Sequence, residues 1–185
     1  MLPFGHIAAG YLVADIFFHF VKTNFSPVQI DWLVGLCTFA GFAPDLDMFY
    51  GFWKERGFHQ TGEQGNHRQY ITHTPLPWLA LAACVAVFGQ TDFWHFAGLM
   101  IWFGSWTHFL LDSTDVGVRW LYPFSQRFFA LKNPGRPEPN TAQGFFPHWA
   151  NLLKQYWRRT PLTVCAEIVL IVVAIGVFML SGAVR

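Results

Sequence analysis

Residues 162–181 form an unbroken apolar run whose only charge is Glu167. A helix that crosses a bilayer needs about 20 predominantly apolar residues, so this run restricts the chain to folds that place a helix in a membrane. Four further apolar segments precede it, at 7–21, 28–42, 76–88 and 93–111. The segment at 93–111 comes close to spanning length. The other three are shorter and cross only if tilted, or if extended by polar residues buried at their ends. Composition agrees. The chain is 53% hydrophobic and 12% charged, against about 25% charged in soluble domains. The expected fold is all-α: one integral-membrane helical bundle of about five spans, forming a single domain over residues 1–185.

The connections differ in kind. Residues 22–27 and 89–92 read as short turns, whereas 48–74 and 113–161 are long and polar. Residues 51–65, rich in Gly and charge, read as loop. Residues 133–140 (NPGRPEPN) exclude a helix, because their prolines remove donors and clash with the preceding turn. Residues 144–159 differ: Phe145, Trp149, Leu152, Leu153 and Tyr156 recur at helical spacing opposite Lys154 and Arg158. That pattern predicts an amphipathic helix at the bilayer surface feeding the last span; packing on neighbouring helices is the competing reading. Cys37, Cys84 and Cys165 lie in apolar segments without C-x-x-C spacing and read as buried thiols. No basic stretch opens the chain, so a cleaved signal peptide is not expected.

Topology sharpens the reading. If all five segments cross, the N-terminus, 44–74 and 113–161 share one face. That face carries ten of the twelve Lys and Arg residues, with only Lys22 and Arg185 on the other. The bias places it in the cytoplasm. The same face collects the polar clusters that can carry chemistry.

His108 and Asp112, four apart on a predicted helix, share a helical face and can share a cation. Asp45 and Asp47 follow Pro44; in extended backbone they point to one side and repel unless a cation lies between them. Capping by Asp45, with Asp47 facing water, is the alternative. His67 and His73 are six residues apart, about 240° of helical rotation, so they converge only from a loop-to-helix junction. Arg68 beside them suits an anionic oxygen. Thr72 or Thr74 is a candidate cap for a helix opening at Pro75. His6, at the start of the first span, joins the set. Asp15, His19 and Glu167 read as internal polar contacts, and His59, His95 and His148 as incidental. Mixed imidazole and carboxylate ligands suit Zn²⁺, Mn²⁺ or Fe, and the number of ligands allows two ions. H-E-x-x-H, G-x-S-x-G and P-loop motifs are absent. With net charge +1 and no basic groove, no nucleic-acid partner is expected.

Five motifs, GHIAAG (5–10), PDLD (44–47), HRQYITHT (67–74), HFLLDST (108–114) and LYPFS (121–125), together resemble the YdjM-like, LexA-regulated inner-membrane metal-dependent hydrolases of bacteria. The resemblance covers roughly residues 1–125. The family is in turn similar to the zinc-dependent phospholipase C and single-strand nuclease superfamily. It implies a divalent metal, a hydrolase and an inner-membrane location. By motif, its metal positions fall on His6, Asp45, Asp47, His67, His73, His108 and Asp112. Arg68 and Thr114 match motif positions without an implied role.

The expectation is a membrane-bound phosphoesterase acting on a lipid or lipid-linked substrate with metal-activated water. Arg68, His73 and Asp112 are its candidate catalytic residues, with Arg68 steadying developing charge. The alternative is a metal-binding membrane protein without catalysis, a sensor or scaffold. A transporter is disfavoured, because only Asp15 and Glu167 are polar at mid-membrane depth.

Overall fold

The computed structural model describes residues 2–54, 67–114, 116–131 and 145–184. Over these residues the fold is all-helical. Its α-helices are α1 (Pro3–Phe20), α2 (Pro27–Phe42), α3 (Asp47–Lys54), α4 (Pro75–Phe88), α5 (Asp92–Asp112), α6 (Phe145–Arg159) and α7 (Pro161–Val184). Short 3₁₀ turns occupy Ala43–Leu46, His67–Gln69 and Ile71–His73. Among the described residues, extended backbone pairs only in an isolated bridge between Val118 and Phe129.

Local chemistry explains the helix starts. Proline opens α1, α2, α4 and α7, where its missing N–H would have had no helical partner. Ser26 caps α2: its hydroxyl accepts from the Gln29 amide at 3.3 Å, and the Gln29 side chain accepts from the Ser26 amide at 2.9 Å. At α4 the expected threonine cap does not form. Thr74 stands at the capping position but its hydroxyl turns back to the Ile71 carbonyl.

α5 lies at the centre, against α1, α2 and α4, and α7 lies along α1. The core between them gathers Ala14, Leu33, Val34, Cys37, Ala97 and Met100. Small residues set the helix separations. A Cβ on Gly41 would stand 2.9 Å from the His6 carbonyl, and one on Gly104 would strike Cys37 and Ala40. Backbones this close gain packing contacts that apolar burial alone does not supply in lipid. The outer face of α7 exposes Ile168, Val169, Val172, Ile175 and Phe178. By length and composition, one described helix, Pro161–Ser181, is long and apolar enough to cross a membrane; Pro75–Phe88 is a shorter apolar helix.

Three expectations need correction or limits. The loop read over 51–65 begins later, because α3 continues through Gly51 to Lys54: Asp47 in its first turn favours the helix dipole, and one internal Gly costs only about 1 kcal/mol. Only Cys37 is a buried thiol. Cys84 and Cys165 are exposed on apolar helices, where a membrane would cover them. Residues 133–140 and His59 lie outside the described residues. The helix expected over 144–159 is present as α6.

Glu167 faces inward as expected and is 2% exposed. It accepts the Leu2 amide at 2.9 Å and the Tyr156 hydroxyl at 2.9 Å, tying α7 to the start of α1 and to α6. Glycine at position 5 leaves room for it. Glu167→Ala strands both donors and should destabilise the protein by about 1–3 kcal/mol. Glu167→Gln, which keeps an acceptor, should lose less. Thermal unfolding in detergent provides the comparison.

Candidate metal centre

The site forms where α1 begins and α2 and α5 end. After Phe42 the chain does not extend, as the sequence suggested, but tightens into the 3₁₀ turn Ala43–Leu46 and runs on into α3. Successive side chains in such a turn are about 120° apart, so Asp45 and Asp47 reach different partners. Asp45 approaches His6 Nε2 at 4.0 Å and His108 Nε2 at 3.9 Å. Asp47 Oδ2 lies 3.2 Å from His73 Nδ1 and accepts the Thr72 hydroxyl at 3.0 Å.

One helical turn of α5 supplies His108 and Asp112, with Nε2 and Oδ2 3.6 Å apart. His108 Nδ1 lies 2.8 Å from the Gly41 carbonyl. A carbonyl only accepts, so Nδ1 must carry the proton and Nε2 turns a lone pair into the cluster. The turn Ile71–His73 delivers His73, whose Nε2 lies 3.0 Å from Asp112 Oδ2 and 3.2 Å from His108 Nε2. His6, one turn into α1, stacks on His108 with ring centroids 3.9 Å apart. Its Nε2 stands 3.3 Å from Asp112 Oδ1. Arg68 donates from Nη2 to the same oxygen at 3.0 Å. Its guanidinium, expected to await an anion, is thus engaged with a ligand carboxylate.

The side chains of His6, Asp45, Asp47, Arg68, His73, His108 and Asp112 are all buried. His6 Nδ1 and Asp47 Oδ1 are enclosed without a hydrogen bond among the described residues. Buried polar atoms are normally satisfied, so this donor set fits a cation. Two groups have ligating atoms within 4.8 Å of one another: His6 with His108 and Asp112, and Asp45 with His73 and His108. They share His108, whose single inward lone pair serves one ion at a time. Asp47 lies behind His73, where an outer carboxylate orients a ligand imidazole. The backbone at His67 enters a 3₁₀ turn, but its side chain lies outside the described residues. Thr114 closes the end of α5, its hydroxyl donating to the Leu111 carbonyl at 2.7 Å.

Two contributors were not read from the sequence. The Gly41 carbonyl selects the His108 tautomer, and no side-chain pattern announces a carbonyl. Arg119 donates to the Gln69 carbonyl, bracing the turn that carries Arg68, while its guanidinium lies 4.7 Å from the Tyr122 ring centre.

The family model of the YdjM inner membrane proteins matches residues 1–183. The chain belongs to that family. Membership extends the resemblance from the first 125 residues to nearly the whole chain, α6 and α7 included, and makes this a membrane protein. No curated protein and no solved structure matches it. Of the motif residues singled out in the sequence, His6, Asp45, Asp47, His73, His108 and Asp112 are those the fold brings together.

Burial pushes the His73 pKa down, but hydrogen bonds and charge from Asp112 and Asp47 outweigh it and hold the group up at about 9. A metal ligated by His73 must displace a proton bound below that pH. Metal affinity should therefore fall as pH drops from about 9, by up to about one decade per unit, and should level off above it. Calorimetric titrations with Zn²⁺ at several pH values measure this slope. Asp47→Asn should weaken binding by about 10–100-fold through the His73 ring.

Proposed function

We propose that this YdjM-family protein is a multi-pass membrane hydrolase whose buried centre uses a divalent metal to cleave a phosphoester. The observation that supports it is the convergence of His6, Asp45, His73, His108 and Asp112, drawn from four separate stretches of chain, on one buried cluster. An arrangement that packs three buried imidazoles against buried carboxylates and encloses His6 Nδ1 without a partner is a poor structural device and a good ligand set.

In this reading α1, α2, α4, α5 and α7 all cross the bilayer. The N-terminus and the connections carrying PDLD, HRQYITHT and HFLLDST then lie on one face, which the basic-residue bias assigns to the cytoplasm. Convergence of those same connections at one end of the bundle supports the arrangement. Helices shorter than α5 cross by tilting and by meeting a locally thinner bilayer.

His6, Asp45, His73, His108 and Asp112 would hold the metal, Zn²⁺ first and Mn²⁺ or Fe next, as one ion or two. A divalent ion there supplies Lewis acidity toward a phosphoryl oxygen and lowers the pKa of water. The protein's own groups prepare the rest. The Gly41 carbonyl keeps the His108 lone pair inward, and Asp47 with Thr72 fixes the His73 ring. Arg68 offsets the Asp112 charge and offers a planar fork to an anionic substrate at the edge of the cluster. The substrate expected at such a depth is a lipid or lipid-linked phosphoester. The likeness to zinc-dependent phospholipases C and nucleases belongs to this proposal.

His73→Ala or Asp112→Ala should abolish metal-dependent hydrolysis across a panel of phosphoesters while the protein still inserts; full activity in either variant refutes the assignment. Chelation should silence the wild type, and Zn²⁺ or Mn²⁺ should restore it. A second reading, a metal centre without turnover, draws on the burial of every ligand and on Arg68 being held by Asp112. Bound metal by elemental analysis, with no turnover on any phosphoester, would select it.

A further inference from the structure

Between α1, α2 and α7 runs a groove of about 610 Å³. One face of α2 forms its long wall, from Asp31 through Gly35 and Thr38 to Phe42. The eleven helical steps from Asp31 to Phe42 make it about 16 Å long. Tyr11 and Phe178 lie across from that wall, their rings edge to face at 5.9 Å. Phe39 and Phe178 are more than half exposed, so the groove opens sideways from the bundle, on the surface that a bilayer covers in a membrane protein.

Its two ends differ. The far end is lined by Asp31 and Ser181. The near end is formed by Ile7 and Phe42, the residues that directly follow His6 and Gly41. His6 belongs to the metal centre, and the Gly41 carbonyl orients His108. The groove thus runs along α1 and α2 toward the end of the bundle where the site lies, and stops at residues next in sequence to it. A lipid chain lying in that groove carries its headgroup to the end of the bundle where the ligands converge.

We propose that the groove holds one acyl chain of a phospholipid-type substrate and so presents its phosphoester to the centre. This rests on the hydrolase reading and narrows its substrate to phosphoesters with a long apolar chain. The polar far end limits the length accepted, because a longer chain would bring methylenes against Asp31.

Gly35 provides the test. A Cβ built there meets no atom within 4 Å, so Gly35→Phe fills the groove without disturbing a neighbouring helix. The full-length protein is placed in phosphatidylglycerol vesicles containing a phospholipid with a diazirine at the end of one acyl chain. In the wild type, photolysis should label residues around Thr38 and Tyr11. In Gly35→Phe that labelling should fall about tenfold or more, while labelling on the outer face of α4 stays unchanged. In parallel, hydrolysis of a long-chain phosphatidic acid is compared with that of a short-chain, water-soluble phosphoester. Gly35→Phe should lose the first activity and keep the second. Unchanged groove labelling, or equal loss of both activities, overturns the proposal. Labelling that responds to Gly35→Phe in a wild-type protein hydrolysing neither compound refutes the hydrolase reading, and with it the claim that the chain belongs to a substrate.

Discussion

A carboxylate enclosed in an apolar bundle costs several kcal/mol unless positive or hydrogen-bonding groups surround it. Asp112 is fully buried at the end of α5, and the neighbouring structure answers that cost. His6 comes from the first turn of α1, His73 from the turn before α4, and Arg68 from the turn before that. Each approaches within 3.3 Å. Compensating this one charge draws together segments far apart in the chain, so the buried His/Asp cluster and the end of the bundle form as one object.

Close backbone packing makes the convergence possible. Gly41 lies against the His6 carbonyl and offers its own carbonyl to His108. A larger residue there would separate α1 from α2 and also displace the acceptor that orients His108. Glu167 performs a comparable task outside the cluster, holding the start of α1 from α7. The last helix is therefore coupled to the turn bearing His6, in keeping with a family match that runs to residue 183.

Much of the site could be read from residue order. His108 and Asp112 at helical spacing do share a face, because that periodicity is local and survives packing. His73 and Asp45 were recognisable as polar residues bordering apolar segments. The backbone form of PDLD was not, since an i, i+2 pair reads alike in extended and 3₁₀ conformations until neighbours choose between them. Nor was the partner of Arg68, because a long side chain serves a ligand or a carboxylate according to what lies within its reach. The thiols divided for a similar reason: apolar surroundings in sequence mean core for Cys37 and outward-facing surface for Cys84 and Cys165.

By itself the sequence determined the helical class, the positions of the α-helices other than α3 and the list of residues able to bind a cation. Apolar runs, proline starts and residue chemistry act over a few residues and need no tertiary information. The three-dimensional fold alone decided which of those residues meet. It set His73 between Asp47 and Asp112, moved Asp47 behind a ligand, and recruited the Gly41 carbonyl and Arg119. These relations depend on how closely α1, α2 and α5 approach, which glycines at their crossings permit and no linear pattern encodes.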